Sequence, residues 1–586
     1  MTNKQSRLGQ ILAWLDSHLL LILTAFLMAF IPLYPKLPLF EALPGYIVRV
    51  RLEDLLVLLA AVAWLVQALR KKVEWRSIIF WLIAAYAVVG LLSVLSAVFL
   101  INTIPLETLH VGKTVLHYFR YLEYFVLFVV AFSAVKSKQD IKTLIIVFAL
   151  TVIAVTAYGY GQKYYYLPVY STMNREFSKG IRLYLTEHAR IQSTFAGHYD
   201  LAAYLVIALC MMLAVAYKHQ AWWKKVFYHL VHLIGLWLLI MTASRTSFVS
   251  YLFGASVVIF LVAKEQQNFW KQLGWGLKRF ISLILIIVVM MASFGASMFD
   301  RFLHVLEGYP QVTTAYEKAK TIKDETSQQV LIALGIEENE EGKRGRRPDN
   351  ALSMDEAERD VVTDSDERPS TEKPKDVYVD VPDRVRVATK SADGSTDYVI
   401  QEKPRTWSEN AMKYGLSTAI RLDTLWPNAI QGFKRNPLLG SGYATLNKEG
   451  PHHFTEAEST DNNYLRILGE TGLLGFISFF SIIGAGLYFA VKFHQVDRTF
   501  TSAISVGFIG ATMGLLLNAT YIDVFAASKV AFTYWSLTGI VVGLFYLERN
   551  KSKLQQIEGV KKARSFFSSI SSKLLPSRRS KYQDKN

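Results

Sequence analysis

The chain has 586 residues, 52% of them hydrophobic, and carries a net charge of +16. Its mean hydropathy of +0.24 excludes an ordinary soluble globular protein of this length. The basic excess belongs to cytoplasmic loops of a membrane protein rather than to nucleic-acid binding, and the single cysteine, Cys210, excludes an intrachain disulfide and a cysteine-based metal site.

About 20 apolar residues cross the hydrocarbon core as a helix, and lipid tolerates only helices and closed barrels. The apolar runs here are continuous, not alternating, so the chain reads as an all-α, polytopic integral membrane protein. About twelve transmembrane helices are predicted: Leu19–Leu33, Leu55–Leu69, Ile78–Phe99, Tyr118–Val135, Leu144–Tyr160, Leu201–Tyr217, Phe227–Met241, Phe248–Ala263, Ile281–Met298, Leu473–Val491, Ala503–Leu517 and Val530–Leu547. No small-residue cleavage site follows the first run, so it is expected to remain as a span. The predicted units are an N-terminal membrane domain (1–299), a large extracytoplasmic loop (300–471), three C-terminal spans (472–547) and a basic cytoplasmic tail (548–586).

With Lys4 and Arg7 placed in the cytoplasm, every inside loop is basic: Arg70-Lys71-Lys72, Lys136 to Lys142, Lys218 to Lys225, Lys264 to Arg279 and Lys492 to Arg498. The positive-inside rule then puts both termini in the cytoplasm. All polar clusters of chemical interest fall on the opposite face, and the spans themselves read as poor in ionisable groups.

The outer loop is not uniform. Residues 323–403 are rich in charge, Ser and Pro and cannot bury enough apolar surface to offset chain entropy, so they read as mostly disordered. Within them, Asp376 to Ile400 alternates weakly and predicts a small hairpin. Over about 415–435, Leu422, Trp426, Ala429, Ile430 and Phe433 recur at helical spacing. They form one stripe of an amphipathic helix that ends at Asn436-Pro437 and is expected to lie flat on the outer membrane face.

Four constellations carry possible chemistry. Arg190 to Tyr204, with His198, stands at the outer end of the sixth span. An arginine at a hydrocarbon edge must pair or snorkel, and its planar fork suits a phosphate. The plainer reading is a snorkelling arginine with Ser193 or Thr194 as a helix cap. Thr242 to Ser247 is a hydroxyl-rich turn whose Arg245 runs against the charge bias of the outer face. Arg421 leads the amphipathic helix into Asn436-Pro437-Leu438-Leu439-Gly440-Ser441-Gly442, where glycines permit tight turns. Last come His452-His453, Glu456, Glu458 and Asp461-Asn462-Asn463. Adjacent histidines do not share a helix face, so no metal site is expected there. One carboxylate within reach of a hydroxyl is enough for a general base.

Taken together and in this order, these stretches resemble the O-antigen ligase and polymerase family, bacterial membrane glycosyltransferases that act on polyprenyl-diphosphate-linked glycans. The resemblance rests on Ser244-Arg245-Thr246, on Arg421 to Gly442, and on Asn462 followed by Gly472 and Gly475, with Tyr464 two residues after the asparagine. The family histidine before that asparagine is Asp461 here. The resemblance implies a glycan moved from a polyprenyl diphosphate carrier to an acceptor hydroxyl at the outer face of the cytoplasmic membrane. It implies Arg190, Arg245 and Arg421 on the diphosphate. Asp461 and Asn462 stand with Arg245 as the catalytic set, and His198 and Tyr464 as support. No cofactor and no metal are expected; the partners are the lipid-linked glycan, an acceptor glycan or glycolipid and the bilayer. The alternative is a transporter or flippase for a lipid-linked saccharide, which would place ionisable groups near the midplane of broken helices. A scaffold without chemistry is the third reading, against which the recurring arginines count.

Overall fold

The computed structural model describes residues 7–43, 49–73, 77–172, 177–186, 189–295, 352–353, 383–390, 396–403, 407–446 and 459–574. The first half is a run of nine helices: α1 (Arg7–Leu33), α2 (Leu52–Leu69), α3 (Ile78–Leu95), α4 (Thr108–Ala134), α5 (Lys138–Tyr164), α6 (His198–Lys218), α7 (Trp222–Met241), α8 (Arg245–Ala263) and α9 (Phe269–Phe294). A π-turn over Ser96–Leu100 extends α3. Two short strands, β1 (Pro38–Phe40) and β2 (Val50–Arg51), close the α1–α2 connection. A second two-residue pair joins β3 (Leu183–Tyr184) to β4 (Leu352–Ser353).

The long connection between α9 and the C-terminal helices holds an antiparallel hairpin, β5 (Asp383–Lys390) with β6 (Thr396–Lys403), which answers the weak alternation in that stretch. Most of the predicted disordered insert lies outside the described residues. The amphipathic segment is a chain of short pieces: α10 (Glu409–Tyr414), α11 (Leu416–Ile420), a π-turn over Arg421–Leu425 and α12 (Trp426–Arg435). The chain returns as α13 (Asn463–Val496), α14 (Ser502–Asn518) and α15 (Ser528–Leu574). Eleven described helices are long and apolar enough to cross a membrane, and α14 is a shorter apolar helix of 17 residues. These are the twelve runs of the sequence, and the chain is a multi-pass membrane protein.

Cross-links at both ends fix the alternating direction of the helices. At one end, Lys529 Nζ donates to the carbonyls of Pro32 (3.0 Å), Tyr34 (2.7 Å) and Thr194 (2.7 Å), tying α15 to the end of α1 and the start of α6. At the other end, Lys138 pairs with Asp497 (2.9 Å), Lys218 with Glu265 (2.6 Å), and Lys136 reaches the Ser17 carbonyl (2.9 Å). Helix α6 occupies the middle and is buried over nearly its whole length, while α9 is exposed along most of its surface.

The ionisable groups at or near the spans gather at the first of these ends, with at most two in the apolar window of each candidate span. Lys36 bonds Glu53 at 2.6 Å, and Arg120 bonds Asp54 at 2.6 Å and Glu123 at 3.0 Å. Each of these charges is neutralised by a neighbour, as buried charge near lipid requires.

Candidate active site

The site is built on a break in α13. Gly472 has φ +66° and ψ −166° inside the helix, so residues 463–471 form a separate short helix before the long span. A break frees backbone groups on both sides. Here one loop takes four of them. The N–H of Leu473 donates to Pro437 O (2.9 Å) and that of Leu474 to Leu438 O (3.1 Å). In return the N–H of Ser441 reaches Gly469 O (2.8 Å) and that of Gly442 reaches Glu470 O (2.9 Å). The Asn436-to-Gly442 turn is thus the plug of the helix break. A Cβ at Gly472 would stand 2.4 Å from Leu438 C, and one at Gly440, whose φ is +69°, would stand 2.4 Å from Glu470 C. Only glycine fits at these two crossing points. Asn436 closes the turn with Oδ1 accepting from the N–H of Leu438 and Leu439, while its Nδ2 donates to Ser96 Oγ at 3.0 Å.

The plug joins the arm that carries Arg421 to the helix end that carries Asp461. Arg421 is buried, and its Nη2 lies 2.8 Å from Asp461 Oδ2. Its guanidinium also covers the Tyr521 ring at 4.5 Å and bonds Ser417 Oγ at 2.7 Å. Its Nε is buried without a hydrogen-bond partner among the described residues. Asp461 is half-buried and adopts φ +51°, a left-handed geometry that aspartate tolerates better than most residues. Burial raises its carboxyl above the ordinary carboxylate range; Arg421 opposes the rise and the charge of Asp523 adds to it.

Asp523, from the α14–α15 connection, is saturated by comparison. It accepts from Thr460 N (2.8 Å), Asn462 N (3.0 Å), Ser459 Oγ (2.8 Å) and Arg466 Nη1 (2.9 Å). Asn462 is the N-cap of α13: Oδ1 accepts from the N–H of Leu465 (3.0 Å) and Nδ2 donates to Thr520 O (3.1 Å). Its amide therefore shapes the helix end beside Asp461. Tyr464 is placed differently from the others, with its hydroxyl on Leu516 O (2.8 Å) and its ring stacked on Phe480.

Arg190 precedes α6 and lies 2.6 Å through Nη1 from His198 Nε2 and 3.4 Å from the Tyr199 hydroxyl. Tyr199 senses the charges of Arg190, Arg421 and Asp461 together, which puts the α6 start and the arm in one electrostatic field. Ser193 and Thr194 are not caps; their hydroxyls bond Val155 O (2.8 Å) and Pro32 O (2.5 Å), and Gly197 takes the N-cap position. The loop before α6 must anchor to α5 and α1, and it uses these hydroxyls to do so. Arg245 is the first residue of α8 and half-buried. Its turn is tied to the end of α14 through Ser247 and Asn518 (3.3 Å), and the next residue, Ala519, accepts from Asn463 N at 2.9 Å. Arg190, Arg245, Arg421 and Asp461 thus share one end of the bundle. His452, His453, Glu456 and Glu458 lie outside the described residues. Among the described residues no group of three His, Cys, Asp or Glu side chains is placed to hold a metal ion.

The family described as O-antigen ligase matches residues 376–480, from the hairpin through the arm and the plug into α13. The chain carries an O-antigen ligase domain. The match takes in Arg421, Asp461 and Gly472; Arg190, Arg245 and Asp523 lie outside it, and Asp523 bonds Thr460, Asn462 and Arg466 within it. No curated protein matches the chain. The chain is accordingly an O-antigen ligase-like membrane enzyme.

Sequence reasoning missed Asp523, Arg466 and Ser459. Asp523 is a lone carboxylate in a short outer connection, and nothing local distinguishes it from a solvated loop residue. Arg466 and Glu470 stood four apart in a stretch already under scrutiny, a spacing that puts both on one helix face. Their pairing at 3.5 Å was legible; the reach of Arg466 to Asp523 was not.

Proposed function

We propose that the protein is a glycosyltransferase that moves a glycan from a polyprenyl diphosphate carrier to an acceptor hydroxyl. The reaction takes place at the outer face of the cytoplasmic membrane, in cell-surface polysaccharide assembly. The observation that carries this reading is the Arg421–Asp461 pair at 2.8 Å, set in the same field as Arg190 and Tyr199. Negative charge develops on the diphosphate as it leaves, and fixed cations in a site withdrawn from water stabilise that charge. Arg190, Arg245 and Arg421 supply these cations, the last with a buried Nε that has no hydrogen-bond partner among the described residues. Asp461 takes the acceptor proton as the acceptor oxygen attacks the anomeric carbon, and direct displacement inverts that carbon. His198 steadies Arg190. The arginines supply the positive charge a metal would bring, so transfer is expected to continue in a chelator. The basic end of the bundle faces the cytoplasm with both termini, and the site faces outward.

The transporter reading weakens at the helix break. Residues 473–496 are long enough to cross the membrane alone, about 36 Å at the rise of an α-helix. The break and its charges therefore stand at the end of a full span, not at its middle as a transporter site would. The test uses purified protein in vesicles with a polyprenyl-diphosphate oligosaccharide and candidate acceptors. Free polyprenyl diphosphate and a lengthened acceptor are expected. Arg245→Ala and Arg421→Ala should each abolish transfer, and full activity in both would sink the scheme.

A further inference from the structure

We propose that Asp461, the Ser459 hydroxyl and Asp523 form one hydrogen-bonded chain that holds the proton taken from the acceptor. In it Asp523 is a positioning residue and Asp461 the group that touches substrate. The proposal rests on the reading of Asp461 as the base.

The geometry at Ser459 carries it. Its Oγ lies 2.8 Å from Asp461 Oδ1 and 2.8 Å from Asp523 Oδ2, and accepts from Asp461 N at 3.1 Å. A serine hydroxyl has one hydrogen and two lone pairs. If both carboxylates are ionised, that single hydrogen serves only one of them, and the other close oxygen contact has no proton in it. One added proton on Asp461 completes the set. Asp461 Oδ1–H then donates to Ser459 Oγ, and Ser459 O–H donates to Asp523 Oδ2. Asp523 accepts from the Arg466 guanidinium and from two backbone N–H groups, which makes it the acceptor end of the chain. Those amides belong to Thr460 and Asn462, on either side of Asp461, so the same carboxylate also fixes the left-handed turn that aims the Asp461 side chain. This is base and orienter joined through a hydroxyl, the logic by which an aspartate orients a catalytic histidine.

In the transfer step the acceptor oxygen bonds the anomeric carbon. The bond to the diphosphate breaks, with its electron pair going to the diphosphate, and the acceptor proton passes to Asp461 Oδ1. Ser459 supplies the acceptor lone pair that stabilises it there. No other reactant is needed. The charged and titratable groups acting on Asp461 are Arg421 and Arg466, Asp523, and Tyr199 and Asp200 of α6.

The experiment is the pH dependence of kcat/KM in the reconstituted full-length enzyme, with a polyprenyl-diphosphate oligosaccharide as donor. Ser459→Ala and Asp523→Asn should lower kcat roughly tenfold with little change in donor KM. Both should also move the acidic limb of the profile down by about half a unit or more, because the protonated form of Asp461 loses its acceptor or its anionic neighbour. Ser459→Thr keeps the hydroxyl and should restore rate and limb. An acidic limb that stays in place or moves up in Ser459→Ala overturns the proposal. Ser459 is exposed, so that variant carries the test even if Asp523→Asn does not fold. Full transfer by Asp461→Asn would instead remove the reading of Asp461 as base, a separate outcome.

Discussion

Two Arg–Asp pairs stand side by side at the site end, and they have opposite characters. Arg466–Asp523, at 2.9 Å, is closed: the aspartate is 6% exposed and takes four donors. Arg421–Asp461, at 2.8 Å, is open: the aspartate is 29% exposed and is met by one guanidinium and one hydroxyl. A carboxylate that meets four donors in a buried ion pair serves to hold the chain. A partly exposed one with a single guanidinium and one hydroxyl can exchange a proton and release its partner to an anion. The same two residue types thus make a frame in one place and a reactive centre in the other.

The sharpest way to break this contrast is to remove function from the open pair. Asp461→Asn should lower transfer roughly 100- to 10,000-fold, the range of a general base, with the protein still folded by circular dichroism. Its raised pKa sets the direction of the pH response. The base works only when ionised, so transfer should fall as pH drops through that raised value, at a higher pH than an ordinary aspartate would give. The closed pair should answer in stability instead. Arg466→Ala leaves Asp523 buried without its cation and should destabilise by about 3–5 kcal/mol, read as a lower midpoint of thermal unfolding in detergent. Gly472→Ala comes next. A non-glycine residue in that conformation costs on the order of 1–3 kcal/mol before the clash with Leu438 is counted. It should loosen the plug and weaken both pairs. The smallest effect belongs to the opposite end, where Lys138 pairs with Asp497 while more than a third exposed. Lys138→Ala should cost about 1 kcal/mol or less and leave transfer unchanged.

The contrast between the pairs also marks how far residues could be read in line. Arg421 and Asp461 were both legible as polar residues beside a span, and each found its place at the site end. What joins them was only partly visible. The two glycines of the plug read as turn formers and Gly472 as part of the resemblance, but the meaning of Gly440 and Gly472 is mutual. Gly440 and Gly472 are required because another backbone passes within contact distance, which follows from the crossing of two segments some thirty residues apart, while Gly442 is pressed by the side chains of Ala97 and Ile104. Tyr464 and Asn462 looked like site residues for the opposite reason. Their place in a motif is real, yet one packs on Phe480 and the other caps α13.

The sequence by itself determined the class, the number of spans, the alternation of basic and polar ends and the domain that carries Arg421 and Asp461. Those properties depend on hydrophobic run length and on local charge, which a chain carries wherever it folds. Only the tertiary structure decided that Asp523, more than sixty residues beyond Ser459 in the chain, would grip the amides on both sides of Asp461. It also decided that Lys36, Glu53 and Lys529 would be buried at the same end. Buried charges must find partners, and the partners are set by how the helices pack, not by what stands next in line.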